Sequence, residues 1–78
     1  MSSEQDWTEQ TKRFMKAELK RHDVTYEQLA ERLTAGGMPE TKASISNKIS
    51  RGSFTAAFFL ASMNAIGCET IRVPEIKL

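Results

Sequence analysis

The side chains with the most chemical content gather in one short stretch. Lys42, Ala43, Ser44, Asn47, Lys48 and Arg51 lie between Thr41 and Gly52, where Ile45 and Ile49 are the only large apolar residues. At about 100° per residue the isoleucines share one side of a helix. Ala43, Ser44, Asn47, Ser50 and Arg51 then fall opposite or nearly so, with Lys42 and Lys48 on the flanks. That outward face is small, polar and cationic. Asparagine bonds adenine through two hydrogen bonds, arginine does the same to guanine, and serine serves either base. The free amides near Thr41 to Ala43, at the helix start, point toward an incoming phosphate. The chemistry this stretch offers is recognition of double-stranded DNA, with Asn47 or Ser44 reading bases and Lys42 and Lys48 holding phosphates. Small side chains such as Ala43 let the helix approach closely.

Charge supports this. No acidic residue occurs between Glu40 and Glu69, although the net charge of the chain is only +1. A short exposed helix that is merely soluble more often pairs glutamate with lysine at i, i+4. Here Lys48 has Ser44 four residues before it, and Lys42 has Met38.

Other chemistries find little. His22 and Cys68 are the only soft metal ligands, and neither has a partner at ligand spacing, so no metal and no cofactor are expected. A single cysteine excludes a disulfide within the chain and fits a reducing cytoplasm. Glu27 and Glu31 share a helix face but read as a solvated face rather than a catalytic pair. No activated nucleophile has a positioned base, so an enzyme is not expected. The N-terminus lacks the basic start and apolar run of a signal peptide. The longest apolar run, Ala56 to Ala61, is too short to span a bilayer. With 40% apolar and 27% charged residues, the composition is that of a globular domain rather than a disordered chain.

The chain divides into four segments, and three of them must position the stretch from Lys42 to Arg51. The first runs from about Trp7 to His22, with Asp6 and Glu9 as a capping box and a stripe of Trp7, Thr11, Phe14, Met15 and Leu19. Trp7 is expected to be buried against the fourth segment. The second runs from about Tyr26 to Ala35, with a Thr25–Gln28 capping box, a Val24–Leu29 staple and a stop at Gly36-Gly37. The third, Lys42 to Arg51, follows Pro39, takes Thr41 as its cap and stops at Gly52. The fourth, Ala56 to Ile66, takes Thr55 as cap and Phe54–Phe59 as staple. It is apolar nearly all round, which predicts a central core helix. The tail from Thr70 to Pro74 alternates apolar and polar, and Pro74 limits it to an edge strand or an extended arm. The expected organisation is a flexible N-terminus at 1–6, a helical domain at 7–67 and an extended tail at 68–78.

Three stretches carry a family resemblance: Thr25-Tyr26-Glu27-Gln28-Leu29-Ala30-Glu31-Arg32-Leu33, then Ser44-Ile45-Ser46-Asn47-Lys48-Ile49-Ser50-Arg51-Gly52, then Asn64-Ala65-Ile66-Gly67. In order they resemble the first motif helix, the recognition helix and the last core helix of the λ-repressor-like (Cro and xenobiotic-response-element type) helix-turn-helix family. The run from Ser46 to Gly52, followed by Phe58-Phe59, also resembles a small uncharacterised bacterial domain family expected to share that fold. The resemblance implies an all-α bundle of four to five helices that binds double-stranded DNA sequence-specifically in bacterial transcriptional control, as a homodimer. It also implies a role for Tyr26, which stands where the family often has a phosphate-binding glutamine. The connection from Leu33 to Ile45 is longer than the family's tight turn. That longer turn and the near-neutral charge favour the alternative, a protein-interaction module on the same helical scaffold.

Overall fold

Each helix starts where a hydroxyl can accept an orphan amide. In the computed structural model, which describes residues 3–73, Ser3, Thr25, Thr41 and Thr55 cap α1 (Glu4–Arg21), α2 (Tyr26–Ala35), α3 (Lys42–Arg51) and α4 (Ala56–Ile66). Each hydroxyl oxygen accepts the backbone N–H three residues on, at 3.0–3.1 Å. The chain is all-helical, with no strand among the described residues. None of these helices is long and apolar enough to cross a membrane.

The start of α1 departs from expectation. Residues 4–6 are helical, and Asp6 serves as the third helical residue of a box with Ser3 rather than as the cap. The earlier start places Glu4 and Asp6 in the first turn, where acids oppose the positive end of the helix dipole.

The reversals after α1 and α2 follow one hydrogen-bonding scheme. After α1, the N–H of Val24 donates to Leu19 O at 2.9 Å and that of Asp23 to Lys20 O at 3.1 Å. Asp23 takes the left-handed conformation (φ 56°) that usually falls to glycine. After α2, Met38 N–H donates to Leu33 O at 2.8 Å and Gly37 N–H to Thr34 O at 3.1 Å, with Gly37 at φ 96°. This folds Met38 back onto the core. Thr34 Oγ1 then donates to Glu40 O and accepts from Glu40 N–H, both at 3.1 Å. The long connection between α2 and α3 is therefore a fastened turn.

Met15, Leu29, Ile45 and Ile49 have no exposed surface, and Leu19, Val24, Leu33, Phe58, Met63 and Ile66 complete the core around them. α2 packs on both α3 and α4, while α1 packs mainly on α3. This arrangement corrects two expectations. α4 is not the central helix: Phe58, Ser62, Met63 and Ile66 face inward, but Leu60 is 59% exposed. Trp7 is 43% exposed and not buried against α4. The first turns of α1 meet the end of α3, where Thr8 and Lys12 lie against Gly52, and Trp7 is left at the rim. α1 reaches α4 further along, where the Phe14 and Phe59 rings lie 6.0 Å apart. The Phe54–Phe59 staple forms, as stacked rings 6.1 Å apart. Ser62 is fully buried and its hydroxyl has no partner among the described residues, an arrangement that costs stability.

Beyond Gly67 the chain forms neither strand nor free arm as far as Val73. Ile71 packs partly against the core and Val73 is 60% exposed. The expectation that rests on Pro74 lies outside the described residues.

Candidate nucleic-acid interface

The face of α3 follows from which residues its two isoleucines draw inward. With Ile45 and Ile49 at zero exposure, Lys42, Ala43, Ser46, Asn47, Ser50 and Arg51 are exposed. Asn47 lies diametrically opposite the midpoint of the isoleucine pair, between Ala43 and Arg51. Ser46 joins the exposed set without having been singled out from the sequence.

Two expected contact residues are engaged elsewhere. The Glu40 side chain is 5% exposed, tucked against the start of α3. Ser44 Oγ donates to Glu40 Oε1 at 2.6 Å, and Lys48 Nζ donates to Glu40 Oε2. The Lys48 ammonium also stands 4.9 Å from the centroid of the Phe58 ring. Ser44 Oγ accepts the Thr41 N–H at 2.8 Å as the second half of the capping box. Ser44 and Lys48 therefore brace the start of the helix; the Lys48 side chain keeps 41% of its surface exposed but spends its charge on Glu40, and the others carry the rest of the outward surface. The pairing was hidden in the sequence because Glu40 lies before the helix and reaches Lys48 only through the turn.

Burial pushes the Glu40 carboxyl up, but hydrogen bonds from Lys48 and Ser44, together with the Lys48 charge, hold it below its ordinary value of 4.5 on balance. A lowered folded-state value means that the contribution to stability is present above the ordinary value and fades as pH falls through the lowered one. Wild type should therefore exceed Glu40→Gln in melting temperature near neutrality. The gap should close as acid is added below 4.5. Melts of both proteins across this range check it, and a gap that stays constant would contradict the pairing.

The ends of α3 are set by their neighbours. Thr41 satisfies the Ser44 amide, leaving those of Lys42 and Ala43 as the uncapped donors. At the other end, Lys12 Nζ donates to Ser50 O at 3.2 Å, bringing a cation beside the helix terminus. Tyr26 opens α2 and is partly buried, its ring packed against the core. Arg32 Nη1 donates to Ala65 O at 3.1 Å and so caps α4.

One expectation about metal ligands is corrected. His22 and Cys68 do not stand alone: together with Glu18, each brings one ligand atom to within 4.8 Å of the others. Cys68 is remote from α1 in sequence, so residue spacing could not reveal the cluster.

No curated protein and no solved structure gives a significant match to the chain. Residues 7–71 match the family described as a domain of unknown function (DUF6471), and the chain belongs to that family.

Proposed function

We propose that the chain is a λ-repressor-like helix-turn-helix protein that binds double-stranded DNA with sequence preference, entering the major groove with the outer face of α3. α2 and α3 form the motif, and the biological setting is bacterial transcriptional control. The observation that carries the reading is Asn47, exposed at the centre of an acid-free face whose opposite side is fully buried. In this reading Asn47 reads a base, and Lys42 and Arg51 hold the duplex from either end of the helix. Ala43, Ser46 and Ser50 keep the approach close, and the Tyr26 hydroxyl reaches a phosphate from the start of α2. Glu40 does not repel DNA, because Lys48 neutralises it. One short recognition helix gives modest affinity, so a homodimer on a two-fold site is the working form.

The test is duplex affinity against salt, measured by fluorescence anisotropy. Each phosphate contact contributes a log–log slope of about −0.9. Lys42→Gln and Arg51→Gln should each flatten the slope by up to about one unit. Lys48→Gln should leave the slope unchanged and lower the melting temperature. Absence of duplex binding at low salt would sink the proposal. It would then favour the protein-interaction reading, which draws on the exposed apolar surface of Leu60 and Trp7.

A further inference from the structure

Glu18 and His22 lie one turn apart on α1, and Cys68 directly follows the glycine that ends α4. Glu18 is only 5% exposed yet carries a carboxylate. Its Oε1 faces Arg21 Nη1 at 3.4 Å and its Oε2 faces His22 Nε2 at 3.5 Å. Both distances exceed a good N–H···O hydrogen bond, which spans about 2.7–3.2 Å. Buried carboxylates normally have closer partners. The Cys68 thiol occupies the third corner, donating weakly to Thr70 O at 3.3 Å.

The separations suit a metal better than a hydrogen bond. Bonds to zinc of about 2.0–2.3 Å in a tetrahedron place ligand atoms roughly 3.3–3.7 Å apart. The Glu18–His22 pair already has that spacing at 3.5 Å. All three ligand atoms lie within 4.8 Å, so closing onto an ion requires shifts of about an ångström and release of the thiol from Thr70. We propose that Glu18, His22 and Cys68 form a zinc site. The donor set of one thiolate, one imidazole and one carboxylate selects zinc over magnesium or calcium, which prefer all-oxygen cages. On binding, the Cys68 thiol loses its proton to solvent as the sulfur–metal bond forms, and the thiolate and carboxylate together balance the dication. Arg21 stays on the outer oxygen of Glu18 and orients the carboxylate. The three residues border a cleft of about 390 Å³ lined also by Phe14, Glu69, Thr70 and Arg72, from which a water would supply the fourth ligand. The ion joins α1 to the segment after α4, so binding stabilises the fold.

Titration of the full chain with cobalt(II) tests this independently of DNA. Wild type should give a sulfur-to-cobalt charge-transfer band and tetrahedral d–d bands, both erased by added zinc, and zinc should raise the melting temperature. Cys68→Ser should lose the charge-transfer band while keeping its far-ultraviolet circular dichroism. His22→Gln should keep the band but bind zinc at least about 10–100-fold more weakly in chelator competition, as even outer-shell changes cost that much. A wild-type protein without the band, or a Cys68→Ser variant that binds zinc as tightly as wild type, overturns the site.

Discussion

Replacing Gly52 by alanine should cost about 2–5 kcal/mol of folding stability. Gly52 ends α3 at φ 70°, a left-handed conformation that costs an L-residue about 1–2 kcal/mol. It is also buried, and a Cβ there would stand 2.8 Å from Thr8 Cγ2 and 2.9 Å from Thr8 O. The oxygen belongs to the α1 backbone and cannot rotate aside, so α3 must move away from α1. Overpacking of this kind adds about 1–3 kcal/mol. A domain of 78 residues has about 4–12 kcal/mol in total, so the loss takes a large share of it. Urea titration of wild type and Gly52→Ala measures it directly. A change below about 1 kcal/mol would mean that α1 and α3 do not meet as closely as described.

The second large effect concerns binding. Asn47→Ala should weaken the preferred duplex by about 1–3 kcal/mol, the worth of one bidentate base contact. Stability should change by less than about 0.5 kcal/mol, because the residue is exposed. Binding to random duplex at matched salt should barely move, since that affinity comes from phosphates. Competition between a selected duplex and random sequence separates the outcomes. Equal losses on both would make Asn47 a backbone contact, and no loss on either would remove it from the interface.

The sequence revealed most of the scaffold and less of its assembly. The bounds of α2, α3 and α4 were readable because threonine caps bracket their starts and glycines follow their ends. The start of α1 is not legible in the same way, because Ser3 and Asp6 are both good caps and only the fold chooses between them. Asp23 in a left-handed turn gave no glycine signal. Periodicity shows which side of a helix is apolar but not what lies opposite, so the exposure of Trp7 and Leu60 was not legible. For the candidate interface, the burial of Ile45 and Ile49 and the outward position of Asn47 followed from helical spacing alone. The engagement of Ser44 and Lys48 with Glu40 did not. It depends on a turn closed by Leu33, Thr34 and Met38, whose backbone hydrogen bonds no residue pattern announces.

Amide and methyl chemical-shift mapping of the labelled protein during titration with a selected duplex tests the outward face of α3 most directly. Shifts and broadening should concentrate on Lys42, Ala43, Ser46, Asn47, Ser50 and Arg51, with the methyl groups of Ile45 and Ile49 little changed. Perturbation centred on Leu60 and α4 instead, with α3 silent, would contradict the account.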